Sequence, residues 1–187
     1  YMPSLGVSGL VVSWADANDI YVLTGDGDSN NGDNWFVQGF DYIRPSIGVL
    51  KSTDGGATWQ RTGDLGLTGF YVGYKLVQSP TNANVLIAAT SQGLFRTANG
   101  GNTWNTIDDP TDGEVWSIFA DPSSTSRIII SSYKRLYIST NGGSSFIEKF
   151  SDADALLISG VFWDGNNIFV GTNRGLVLST DSGSTFN

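Results

Sequence analysis

One eight-residue box limits what this chain can fold into more than any other feature. It reads Ser52-Thr53-Asp54-Gly55-Gly56-Ala57-Thr58-Trp59, and three further copies occupy 97–104, 139–146 and 179–186. All four share Ser/Thr first, Asp/Asn third, Gly fifth, Ser/Thr seventh and an aromatic eighth. The third positions, Asp54, Asn99, Asn141 and Asp181, stand 45, 42 and 40 residues apart. A period in that range marks a repeat architecture, a propeller or a solenoid.

Each residue type in the box has a structural use. Asp or Asn hydrogen-bonds the backbone two residues on and holds a turn. The glycines Gly56, Gly101, Gly143 and Gly183 provide a left-handed backbone without a Cβ clash. The aromatics Trp59, Trp104, Phe146 and Phe186 bring a large apolar area back into the fold.

Between boxes the sequence reads as short strands. The second repeat gives 70–77, the continuous apolar run 85–90, then 93–97 and 103–107, with Ser79-Pro80-Thr81-Asn82-Ala83-Asn84 as a turn. The first gives 9–14, 20–24, 48–52 and 58–61; the third 115–120, 127–131, 135–139 and 145–149. The fourth gives 157–163, 167–171 and 175–179. No segment carries a helical period. Four-stranded repeats of this length, without self-sufficient cores, stack radially as β-propeller blades. The expected fold is all-β, one propeller segment with blades at 7–64, 65–110, 111–153 and 154–187. Leu5-Gly6-Val7-Ser8-Gly9-Leu10 is echoed by Leu65-Gly66-Leu67-Thr68-Gly69-Phe70, so the expectation is a piece of a longer repeat protein.

The four copies resemble Asp-box (bacterial neuraminidase) repeats, and the resemblance covers nearly the whole chain. Such repeats occur in sialidases, sortilin-like receptors, propeller glycoside hydrolases and a photosystem assembly factor. The first repeat, Tyr21-Val22-Leu23-Thr24-Gly25-Asp26 leading to Gly48-Val49-Leu50-Lys51, looks most like sortilin-type repeats of large secreted bacterial surface proteins. In Asp-box propellers the boxes lie at the rim away from the ligand face. The resemblance therefore implies structural roles for Asp54, Asn99, Asn141 and Asp181. It implies a ligand face built by the loops between strands two and three, and between one blade and the next.

One of those loops stands apart. Its counterparts are short, around Ser91-Gln92, Ser132-Tyr133-Lys134 and Asn173-Arg174, whereas the first repeat inserts 25–47. Loops this long in compact folds are functional or disordered. Asp26, Asp28 and Asn30 place oxygen ligands at alternate positions, as Ca²⁺ requires. Asn31 and Val37 stand where an EF-hand loop has Gly and Glu, so ordinary turn chemistry is the competing reading. Trp35, Phe36 and Tyr42 offer flat faces to a sugar or peptide, and Arg44 a partner for a carboxylate. Packing of these aromatics onto their own blade is the alternative. Tyr74 and Trp116 hold matching first-strand places, from which they reach either a central channel or an inter-blade core.

Composition narrows the chemistry. With no Cys and no His, Cys nucleophiles, His bases, Cys/His zinc sites and disulfides are excluded. A formal charge of −8 disfavours nucleic acid and anionic membranes and suits cations or neutral sugars. No apolar run is long enough for a membrane-spanning helix. Ile43-Arg44-Pro45 shares only its composition with the Arg-Ile-Pro of sialidases, and neither Glu114 nor Glu148 forms a recognisable pair with a Tyr. No catalytic residue is assigned. The reading is a non-catalytic binding module of a secreted or surface-attached bacterial protein, recognising protein or glycan through 25–47. The alternative is part of a propeller glycoside hydrolase, with Asp26 or Asp28 as one of its carboxylates.

Overall fold

The computed structural model describes residues 6–25, 45–69, 71–111, 115, 117–124, 126–132, 134–152 and 158–187. Its described elements are all strands. The first sheet joins β1 (Val7–Val12), β2 (Ile20–Thr24), β3 (Val49–Ser52) and β4 (Gln60–Arg61). The second joins β5 (Gly73–Gln78), β6 (Leu86–Thr90), β7 (Gly93–Thr97) and β8 (Asn105–Ile107). The third joins β9 (Ser117–Ala120), β10 (Ile128–Ser131), β11 (Arg135–Ser139) and β12 (Ile147–Ser151). The fourth has three described strands, β13 (Ile158–Asp164), β14 (Asn167–Thr172) and β15 (Gly175–Ser179). Each sheet runs antiparallel in chain order.

Strand ends depart from the sequence reading where backbone groups find other partners. β1 stops at Val12 rather than reaching position 14. The Ser13 amide closes the next turn on the Asp19 carbonyl, and the Trp14 indole donates to the Ser79 carbonyl of the second sheet at 2.9 Å. β5 starts at Gly73 because the Tyr71 and Val72 carbonyls accept from Ser46 and Ser91.

Alternation sends the two faces of each sheet to different neighbours. Leu76, Leu86, Ala88 and Phe95 face the first sheet, packing with Tyr21, Leu23 and Val49. Ile87, Ala89 and Leu94 face the third, packing with Ile118, Ile128, Ile130 and Tyr137. Ile129, Leu136 and Ile138 meet Ile158, Trp163, Ile168 and Val170 of the fourth. β6 is therefore buried along its whole length, which explains its unbroken apolar sequence. The cores lie between successive sheets, the arrangement of β-propeller blades.

The boxes build these interfaces. In each, the first hydroxyl is buried and acts as a hub. Ser52 Oγ donates to Asp54 Oδ1 at 2.8 Å and accepts the Gly56 amide at 2.8 Å. Asp54 Oδ1 accepts the Thr58 amide at 2.8 Å, and Oδ2 the Thr58 hydroxyl at 2.5 Å. Asp181 repeats the set with Ser179, Gly183 and Thr185. Where the third residue is Asn, the last bond reverses. Asn99 Nδ2 donates to Thr103 Oγ1 and Asn141 Nδ2 to Ser145 Oγ, both at 2.9 Å. The fourth box residue ties each turn to the one beside it. The Gly55, Gly100, Gly142 and Ser182 amides donate to the carbonyls of Asn18, Asn84, Ser126 and Asn166.

The box glycine also sets how closely blades approach. At Gly101 φ is +89°, and a Cβ would stand 3.0 Å from Thr62 Cγ2 of the preceding sheet. At Gly143 it would stand 3.1 Å from Ile87 Cδ1 and Ile107 Cδ1 of the preceding sheet.

The hydrogen bonds from the Thr side chain and amide, and from the Ser hydroxyl, lower the pKa of Asp54 and Asp181 from 3.8 to about 2. A depressed folded-state value contributes stability above the unfolded value that is lost as pH falls through the folded one. That contribution is present above about pH 4 and disappears towards about pH 2. Asn99 and Asn141 do not titrate. The double variant Asp54→Asn/Asp181→Asn should lose less melting temperature than the wild type between those limits in acid titrations. An identical acid limb would contradict this role.

Candidate functional site

The edge opposite the boxes carries the connections between second and third strands, and between one sheet and the next. A threonine ending the second strand organises it in three of the four blades. Thr90 Oγ1 donates to the Gly93 carbonyl at 3.0 Å and accepts the Gln92 amide at 3.2 Å. Thr172 repeats this with Gly175 at 2.9 Å and Arg174 at 3.1 Å. Thr24 Oγ1 donates to the Gly48 carbonyl at 2.7 Å and accepts the Ile47 amide at 2.8 Å. The glycines Gly48, Gly93 and Gly175 have φ of +98°, +112° and +136°, where a Cβ would be strained.

This correspondence aligns Ile47 with Gln92 and Arg174. The first blade therefore keeps the closure of a short hairpin and replaces the single residue Ser91 or Asn173 with 25–46. Both roots are wedged between the first two sheets. The Gly25 amide donates to Gly6 at 2.9 Å, and the Ser46 amide to Tyr71 at 2.8 Å. A Cβ on Gly25 would stand 2.7 Å from the Gly73 amide nitrogen. Ser46 Oγ accepts the Gly48 amide at 3.0 Å and lies 3.1 Å from Thr24 Oγ1. Thr24 is fully buried and Ser46 nearly so.

Charged side chains along this edge already have partners. Arg61 pairs with Asp64 at 3.6 Å, and its Nε lies 3.6 Å from where a Cβ on Gly48 would be. Arg174 pairs with Asp152 at 3.1 Å. Asp109 accepts the Thr111 amide and hydroxyl at 2.9 and 2.6 Å, and its Oδ2 lies close to Gly93. Gln92 Nε2 bridges to the Thr68 carbonyl at 2.9 Å, tying the two kinds of connection on this edge together. Sequence reading missed this set, although Thr followed three residues later by Gly is visible in two of the short loops, Thr90 to Gly93 and Thr172 to Gly175.

Trp35, Phe36, Tyr42, Arg44 and Trp116, and the Ca²⁺ candidates Asp26, Asp28 and Asn30, lie outside the described residues. Among the described residues no group of three or more His, Cys, Asp or Glu could hold a metal. Tyr74 is half-buried against the core between the second and third sheets. It sits at the irregularity between Gly73 and Lys75, where the strand pairing slips by one residue. No described helix is long and apolar enough to cross a membrane.

No protein-family model matches the chain. A xyloglucanase of Hypocrea jecorina (strain QM6a) is 30% identical over 138 residues, 54% of this chain and 16% of that protein. A Paenibacillus xyloglucanase is 27% identical over 152 residues, 75% of this chain and 14% of that protein. The chain thus spans about one-sixth of the curated relatives it matches. Among solved structures, an ancestral GH74 enzyme superposes with a TM-score of 0.71 at 23% identity, over 98% of this chain and 24% of its own. YCF48 bound to a D1 peptide superposes at 0.64 with 14% identity, over 98% of this chain and 52% of its own. These likenesses show the fold, a β-propeller.

The Thr24 clamp is open to measurement. Thr24→Val removes a buried hydroxyl with a donor and an acceptor bond, and should destabilise by about 1–3 kcal/mol in urea titrations. Thr172→Val, at a more accessible clamp, should cost clearly less. Equal costs would show that the root of the insertion is no more constrained than an ordinary hairpin.

Proposed function

We propose that this chain is a segment of a secreted, polysaccharide-degrading β-propeller protein and that its insertion-bearing edge contacts a glucan backbone of the xyloglucan type. The 30% identity to a xyloglucanase carries this reading. It favours the glycoside-hydrolase alternative of the sequence reading over a non-catalytic module. The chemistry agrees. A chain of charge −8 without a His or Cys is suited to a neutral polysaccharide, which needs aromatic faces and polar edges rather than a countercharge.

In this reading Trp35, Phe36 and Tyr42 stack on sugar rings, while Arg44 hydrogen-bonds hydroxyl groups. Asp26 or Asp28 is one of the carboxylates offered to the scissile bond. Glycoside hydrolysis takes two carboxyl groups, about 5–5.5 Å apart for retention and about 6.5–9.5 Å for inversion. Among the described residues of this edge, Asp64, Asp109 and Asp152 are already committed to Arg61, Thr111 and Arg174.

The test is binding and turnover of xyloglucan oligosaccharides by calorimetry and reducing-end release. Trp35→Ala and Tyr42→Ala should each weaken binding at least about tenfold, by the loss of one stacking face. Replacing 25–46 by a single Ser should abolish it while the melting temperature is retained. No affinity for xyloglucan would overturn the reading. Reducing-end release that disappears in Asp26→Ala or Asp28→Ala would assign hydrolysis to this segment.

A second reading, a peptide-binding module, draws on the likeness to YCF48 bound to the D1 peptide. Capture of extended peptides in place of glucans would favour it. Ca²⁺ at Asp26, Asp28 and Asn30 is a separate proposal. Chelator should lower the melting temperature of the wild type and leave Asp28→Ala unaffected, and an unchanged wild-type melt would rule the metal out.

A further inference from the structure

The glycines of the threonine clamps leave room where other residues carry a side chain, and that room is lined differently in each blade. At Gly93 of the second blade a Cβ would meet Asp109 Oδ2 at 3.7 Å, and at Gly175 of the fourth nothing lies within 4 Å. At Gly48, in the blade that carries the insertion, hydrogen-bond donors line the space. A Cβ there would stand 3.6 Å from Arg61 Nε, 3.8 Å from Arg61 Nη2 and 3.9 Å from the Tyr71 hydroxyl.

These donors are unspent. Tyr71 is only 6% exposed, and its hydroxyl has no hydrogen-bond partner among the described residues. A tyrosine this deeply buried ordinarily satisfies its O–H. Its carbonyl is occupied, accepting the Ser46 amide at 2.8 Å, which holds the residue against the C-terminal root of the insertion. Arg61 Nη2 stands 3.6 Å from Asp64 Oδ1, near enough to offset its charge but beyond hydrogen-bond reach. The guanidinium makes no hydrogen bond among the described residues.

A guanidinium offers donors only, and a phenol adds one more. Donors converging on one open point call for an acceptor oxygen. Asp64 already balances the guanidinium, and the chain carries a charge of −8, so a neutral oxygen suits this place better than a carboxylate. We propose that Tyr71 and Arg61 form a sugar-hydroxyl subsite at the root of the insertion, holding an oxygen of the glucan over Gly48. The assignment rests on the xyloglucan reading above, and it adds two residues outside 25–47 that orient the bound chain. Gly48 belongs to the subsite, because its φ of +98° forms the hairpin closure and its missing side chain keeps the space open.

Calorimetry with xyloglucan oligosaccharides, beside thermal melts of the same proteins, tests the assignment. Tyr71→Phe deletes only the hydroxyl. It should weaken binding about five- to tenfold, the effect of one hydrogen bond, and leave the melting temperature unchanged because no bond within the protein is lost. Arg61→Met should weaken binding by a similar factor. The double variant should lose less than the product of the two, since both side chains serve one oxygen. If Tyr71→Phe binds like the wild type, the subsite is overturned while the xyloglucan reading stands. A lower melting temperature accompanying weaker binding would mark the hydroxyl as structural and overturn the subsite as well. A wild type without affinity for the oligosaccharides overturns both. Tighter binding of a glucuronic acid oligosaccharide than of the neutral one would make this an oxyanion site and overturn the assignment to a neutral sugar.

Discussion

A buried hydroxyl at the start of each box carries the architecture. Ser52, Thr97, Ser139 and Ser179 each accept the amide of the box glycine and donate to the Asp or Asn two residues on. That pair of bonds folds the turn so that the glycine lies flat against the preceding sheet. A Cβ at Gly101 or Gly143 would crowd side chains of the preceding sheet at 3.0 and 3.1 Å, on a backbone whose positive φ already disfavours one. The box is thus a spacer between sheets as well as a turn within one. Asp and Asn serve alike because only the direction of one bond depends on which is present.

The same economy operates at the opposite edge. A threonine hydroxyl closes the second-to-third connection in short and long versions alike. The insertion therefore leaves the blade's hairpin closure intact, and its roots are fixed by buried hydrogen bonds to the first and second sheets. A rigid rim carrying one long excursion is how propellers vary what they bind while keeping their frame. Similarity to xyloglucanases then gives that excursion its proposed substrate.

Much of the fold was legible because the repeated box fixes register four times over. The unbroken apolar run of β6 announced burial on both sides, and the short third strands were readable from their place between each second-strand run and its box. Strand ends were less so. Trp14 looked like the end of β1, yet its indole reaches Ser79 in another sheet. Tyr74 suited a ligand channel as well as a core in sequence, and it packs half-buried between blades. The Thr24 clamp escaped notice because its partner Gly48 is distant in sequence and adjacent only after folding.

By itself, the sequence determined the number of boxes, the all-β class and the place of the long insertion, since turn chemistry and residue spacing are local properties of the chain. Only the tertiary structure decided which side of each sheet leads and which trails. Alternation says that two faces exist but not which neighbour each meets. That depends on the close approach of box glycines to the preceding sheet, a contact between residues some 40 positions apart in the chain, such as Gly101 and Thr62. No single repeat, read alone, contains it.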